Sequence, residues 1–215
     1  MTQTVAVIDY GMGNLHSVAK AVEHVGYELG EGTEVHVTPD PKIIAAADRV
    51  IFPGVGAIRD CMAEIKRRSL DVVIQEAIRT KPVLAICVGM QALMDHSEEN
   101  GGVECLGLLP GNVRLFRAEQ SVGGILKIPH MGWNCVYQSI SHDLWKGIDQ
   151  YSRFYFVHSF FVETVDTSIV SGLCNYGKQF VAAISQENLF AVQFHPEKSA
   201  SSGLRLLKNF VEWDI

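Results

Sequence analysis

Apolar runs and amphipathic stretches alternate along the first half of the chain. Residues 4–9 (TVAVID) are apolar at nearly every position, the pattern of a strand covered on both faces. After the turn YGMG, apolar residues at Leu15, Val18, Ala19, Val22 and Val25 recur with helical period, and Gly26 reads as the helix C-cap. EVHVT (34–38) predicts a second strand, stopped by Pro39 and Pro41, with a short helix over IIAAA. DRVIF (48–52) predicts a third strand closed by PGVG, and a long helical pattern runs from about Ala57 to Ile78. PVLAI (82–86) predicts a fourth strand that runs directly into a helix starting near Val88. Strands separated by helices imply a parallel sheet with helices on both faces.

The pattern changes after Gly101 and Gly102. NVRLF, GILKIP, WNCVY, RFYFVHSFFVE, SIVSGLCNY, FVAAIS and LFAVQF read as antiparallel strands and hairpins. A last helix, from about Ser201 to Trp213, places Leu204, Leu207, Phe210 and Val211 on one face. No repeat or long linker divides the chain. The expectation is one α/β domain over residues 1–215: a mostly parallel central sheet, helices on both faces and an additional antiparallel β region.

Composition narrows the function classes. The chain has 215 residues, 47% of them hydrophobic, enough for a sizeable core. Its apolar runs are too short and too often broken to cross a membrane, and the N-terminus has no basic, apolar leader pattern. A cytoplasmic location without membrane contact is expected. Lys and Arg number 18 against 24 Asp and Glu, a net charge of −6, which argues against nucleic acid as partner. A small metabolite or another protein fits better. Five cysteines, odd in number and without CxxC, suit neither a disulfide framework nor a zinc site. No metal and no cofactor are expected.

Candidate chemistry starts at Cys87. A strand feeding straight into a helix forces a tight turn, which lifts its apex residue to the carboxyl edge of the sheet. The frame Ala85-Ile86-Cys87-Val88-Gly89 resembles a nucleophile elbow, with Ala in place of the first glycine. Helix N-terminal N–H groups there favour a thiolate. The alternative is a buried thiol acting as a small hydrophobe. In FAVQFHPEKSA (190–200), His195 follows an apolar strand and Pro196 stiffens the link to Glu197, so that the carboxylate can orient the imidazole. PGVG (53–56) offers glycine-permitted backbone donors, or simply an ordinary strand-to-helix turn. GMGN (11–14) fails as a dinucleotide fingerprint because His16 stands where a third glycine is needed.

The order PGVGA, AICVGMQ, FHPEKS resembles the class I (triad) glutamine amidotransferases. DYGMGN (9–14), LPGNVRLF (109–116), IPHMGWN (128–134) and YFVHSF (155–160) narrow the resemblance to the glutaminase subunits of imidazole glycerol phosphate synthases, over essentially the whole chain. Ala85 and Val88 depart from the Gly and Leu usual in that family. The resemblance implies a flavodoxin-like amidotransferase fold and hydrolysis of glutamine by Cys87, His195 and Glu197. It also implies an oxyanion hole from Gly54, Val55, Gly56 and Val88, and a glutamine pocket using Gln91, His158, Ser159 and Phe160. A partner is implied too, a (β/α)8-barrel cyclase that takes up the ammonia in histidine biosynthesis, facing Asn14, Trp133, Tyr155 and Lys198. Rival readings are a paralogue feeding a surface-sugar pathway, a stand-alone γ-glutamyl cysteine hydrolase, and a catalytically silent regulatory subunit.

Overall fold

The computed structural model describes residues 1–215 except Met1, Gly13, Asn14, Glu31, Ala118, Glu119, Val122 and Gly123. Asn14, read above as a rim residue, lies outside the described residues. The first half follows as β1 (Gln3–Ile8), α1 (Leu15–Glu28), β2 (Thr33–Thr38), α2 (Pro41–Ala46), β3 (Arg49–Gly54), α3 (Ile58–Arg67), α4 (Leu70–Thr80), β4 (Val83–Cys87) and α5 (Val88–Ala92). The second half holds β5 (His96–Ser97), β6 (Val103–Glu104), β7 (Gly111–Leu115), β8 (Gln120–Ser121), β9 (Gly124–Ile125), β10 (His130–Gln138), β11 (Arg153–His158) and β12 (Phe160–Thr164). It closes with β13 (Val170–Tyr176), β14 (Lys178–Gln186), β15 (Leu189–Val192) and α6 (Ala200–Glu212).

The strands β2-β1-β3-β4-β15 lie side by side and pair parallel, the order of a flavodoxin-like sheet. All residues of β3, β4 and β15 are buried, which explains their apolar character; the exception, Arg49 at the start of β3, donates to the Phe210 and Val211 carbonyls. Helix α1 packs with α6, while α2 and α3 each pack with α4, two groups that cover the sheet. Beyond β15 the sheet turns antiparallel through β14, β12 and β7. Strand β15 is the seam: Leu189–Val192 pairs with Val83–Ile86 of β4 on one side and with β14 on the other. This pairing brings the segment after β15 beside Cys87.

Two expectations from periodicity are corrected. The helix expected from Ala57 to Ile78 is broken at Ser69, which adopts a left-handed conformation (φ 53°) between α3 and α4. Ile58, Cys61, Met62 and Ile65 face inward on α3, and Leu70, Ile74 and Ala77 on α4. Ile65 and Leu70 are five positions apart, roughly 140° out of phase at ~100° per residue. An unbroken helix would expose one of the two stripes. Gly26 is likewise not a C-cap. It lies buried inside α1, where an added Cβ would overlap the Thr33 side chain, so its role is close packing on β2. The helix ends instead at Gly30, whose φ is +73°.

In the second half, RFYFVHSFFVE is two strands. β11 pairs with β10, then the chain changes partners at Ser159 and β12 pairs with β7 and β14. GILKIP contributes only the short β9, and the run LFAVQF leaves the ladder after Val192.

Candidate active site

Cys87 ends β4 and stands before the first turn of α5, with φ 56° and ψ −111°. A non-glycine residue in that conformation is strained, as expected of a side chain held out on a sharp turn. Gly89 makes the turn possible: a Cβ there would strike the backbone carbonyl of Phe52 in β3. Ala85 lies deeper in the ladder, paired with Phe52 and Ala191 and fully buried, so its methyl group is accommodated below the elbow.

His195 follows β15, anchored by its N–H to the Tyr155 carbonyl at 2.9 Å. Its own carbonyl accepts from Ser199 Oγ at 2.6 Å. Pro196 begins a short 3-10 turn, Pro196–Lys198, that folds Glu197 back onto the ring. The result is a 2.9 Å contact from His195 Nδ1 to Glu197 Oε1, with both side chains almost completely buried. Among the described residues, His195 Nε2 and Glu197 Oε2 are buried atoms without a hydrogen-bond partner. Burial opposes charge on His195, but the Cys87 thiolate beside it and the Glu197 carboxylate outweigh this and push its pKa up to about 10. The arrangement therefore favours the imidazolium form of His195 beside Cys87.

A cavity of ≈ 490 Å³ opens over Cys87. Gln91, His158, Ser159, Phe160, His195 and Lys198 line it, as do Val55, Gly56 and Val88. Gly54 does not line the cavity: it pairs with Cys87 in the β3–β4 ladder, packed against Val88, Gly89 and the Tyr10 hydroxyl. Tyr10 Oη donates to the Pro53 carbonyl at 2.7 Å and so braces the PGVG turn from beneath. Gly56, at φ +88°, uses the left-handed freedom expected of that turn. At the cavity's edge Lys198 Nζ sits 5.9 Å from the centroid of the Tyr155 ring, and Tyr155 pairs with Trp133 across β10 and β11. These three form one cluster beside the cleft. Among the described residues no cluster of His, Cys, Asp and Glu is arranged to hold a metal ion.

The family model for class I glutamine amidotransferases matches residues 6–213. The chain belongs to the class I glutamine amidotransferase family. The imidazole glycerol phosphate synthase subunit HisH of Pseudomonas syringae is 57% identical over 213 residues, covering 99% of this chain and 98% of its own. The subunit of the same name from Pseudomonas putida is 58% identical over 213 residues, with the same coverage. A solved glutamine amidotransferase shares the fold with a TM-score of 0.68 at 15% identity, covering 97% of each chain.

Two features of this amidotransferase site were not singled out from sequence. Glu99 lines the cavity and accepts from the Ile58 N–H at 3.2 Å. It opens a short 3-10 turn, Glu99–Gly101, too short for any periodicity to mark it. Gln193 is fully buried, with its carboxamide directed at Cys87. Its signal was a lone amide inside the apolar run FAVQF. The other cysteines take no part in the cleft lining. Burial pushes the thiols of Cys61 and Cys105 up to about 11 and that of Cys174 to about 12.

Proposed function

We propose that this chain is the glutaminase subunit of an imidazole glycerol phosphate synthase, working on glutamine and delivering ammonia to a (β/α)8-barrel cyclase. The observation that carries the reading is identity of 57% along nearly the full length of HisH subunits. It is supported by the strained Cys87 beside the His195–Glu197 pair. In this reading residues 1–215 act as one domain, consistent with a hydrophobic core that spans both halves.

The chemistry follows from the geometry. The Cys87 thiolate attacks the side-chain amide carbon of glutamine. The carbonyl π electrons move to oxygen, and backbone N–H groups of Val88, Val55 and Gly56, which line the cavity, stabilise that oxyanion. His195 Nε2–H gives its proton to the amide nitrogen, the C–N bond breaks and ammonia leaves. The neutral imidazole then takes a proton from water, whose oxygen attacks the thioester. Collapse releases glutamate and restores the thiolate and imidazolium. Glu197 keeps the ring oriented and its charge balanced throughout. Gln91, His158, Ser159 and Phe160 hold the substrate, and Glu99 is placed to receive its α-ammonium group. Trp133, Tyr155 and Lys198 form the face toward the cyclase, in front of the cleft from which ammonia must pass without equilibrating with bulk water. Asn14 is proposed for the same rim on sequence resemblance alone.

The test is a glutamate-release assay on the purified chain, alone and with a barrel cyclase plus its acceptor. Stimulation by cyclase and acceptor is expected. Full turnover by the chain alone, unaffected by a cyclase, would point instead to a stand-alone γ-glutamyl hydrolase.

A further inference from the structure

One continuous line of hydrogen bonds reaches Cys87 through Gln193, and its direction is fixed by a single backbone atom. The Phe160 carbonyl can only accept. It receives Gln91 Nε2 at 3.1 Å and His158 Nδ1 at 2.7 Å. The Gln91 atom facing it is therefore nitrogen. That same nitrogen contacts Gln193 at 3.0 Å, so the Gln193 atom on that side is the oxygen, Oε1. Gln193 Nε2 is then turned to Cys87 Sγ, at 3.6 Å, an ordinary length for N–H to sulfur.

The other branch is equally determined. With its proton on Nδ1, His158 accepts at Nε2 from His130 Nδ1, 2.9 Å away. His130 Nε2 then accepts from Asn134 Nδ2 at 3.4 Å, and Asn134 also donates to the Asn175 carbonyl at 2.8 Å. The His130 ring is stacked between Phe156 and Tyr176, with interplanar angles of 22° to each. Burial pushes the pKa of His130 down to about 4 and that of His158 to about 3, so both rings stay neutral and keep these tautomers.

We propose that Gln193 is a positioning residue for the nucleophile: its carboxamide N–H holds Cys87 Sγ at the apex of the elbow and favours the thiolate, while the Gln91–Phe160–His158–His130 line keeps that carboxamide turned toward the sulfur. A fully buried primary amide in an otherwise apolar run is costly unless its groups are used. Here the oxygen is taken by Gln91, and the nitrogen reaches the one sulfur at which negative charge is needed. The Gln193 Nε2 donor thus reaches the sulfur from within the buried part of the site. The inference rests on the reading of Cys87 as nucleophile.

The test uses the full chain with its cyclase and compares Gln193→Leu with the near-isosteric Gln193→Glu, which retains an acceptor for Gln91. Two readouts are taken: steady-state kinetics, and the pH dependence of Cys87 alkylation by iodoacetamide, followed by peptide mass spectrometry. A hydrogen bond to a charged sulfur predicts a fall in kcat of about tenfold or more with KM within about twofold. It also predicts an upward move of the alkylation profile by about one pH unit in both variants. Should Leu at this position prevent folding, the Glu variant carries the same two predictions. Folded variants with unchanged kcat and unchanged profile overturn the inference, as does a loss of Tm alone. Cys87→Ser is the separate control: if it keeps glutaminase activity, the nucleophile reading fails whatever Gln193 does.

Discussion

The proposed nucleophile is held in a conformation that costs energy, since Cys87 sits at φ 56° without being glycine. Such strain persists only where the surroundings enforce it. Cys87→Ala is expected to lower glutamine hydrolysis by about a thousandfold or more while leaving the fold intact, checked by glutamate release and circular dichroism. At His195, the thiolate and Glu197 hold the folded pKa near 10, above the ~6.5 of a free imidazole. With the folded pKa raised, the stabilisation is full below pH ~6.5 and is lost as pH rises through about 10. Glu197→Gln removes one of the two supporting charges, so the His195 titration midpoint should move down, as followed by NMR of the imidazole. An unchanged midpoint would mean that the carboxylate does not support the imidazolium.

At the scale of elements, the site depends on how closely a helix can begin against its neighbouring strand. Gly89 sets that approach, because a side chain there meets the Phe52 carbonyl, backbone that cannot step aside. Gly89→Ala is expected to destabilise the chain by about 1–3 kcal/mol, measured by urea unfolding, and to reduce activity by tilting α5 and the elbow. The break between α3 and α4 behaves oppositely. Ser69 is left-handed with no side-chain cap bond, so Ser69→Gly relieves strain and should raise Tm, a gain of up to about 1 kcal/mol. The apolar positions of both helices were legible in sequence. Their division was visible only as a slip in phase, easily read through because each stripe alone has good period.

On the scale of the whole molecule, the antiparallel half supplies one wall of the cleft and the buried His130–His158 pair. Both pKa values are depressed, so the unfolded state binds more protons than the folded state between about 4 and ~6.5. Stability from this pair is complete above pH ~6.5 and falls as pH drops toward 4 and then 3. His130→Phe should flatten the acid limb of a Tm-against-pH curve over that window, relative to the unaltered chain. Trp133, 43% exposed beside Tyr155 and Lys198, belongs to the proposed cyclase-facing cluster. Trp133→Ala should weaken cyclase binding about tenfold by calorimetry without altering the Tm of the chain by itself.

The sequence alone determined the parallel half of the fold, because strands buried on both faces must be largely apolar, as β4 is throughout and β3 is after Arg49. It also marked Cys87, His195 and Glu197 as candidates, since a thiol at a strand–helix junction and a His-Pro-Glu turn are local features. Tertiary structure alone decided that β15 inserts between β4 and β14 and so brings residue 195 to residue 87, a pairing across more than a hundred positions that no local period encodes. It alone revealed Gly26 as a packing residue, because what a glycine makes room for is set by its neighbour in space. Gln193, too, was only an amide in an apolar run until the Phe160 carbonyl, far away in sequence, fixed which way it points.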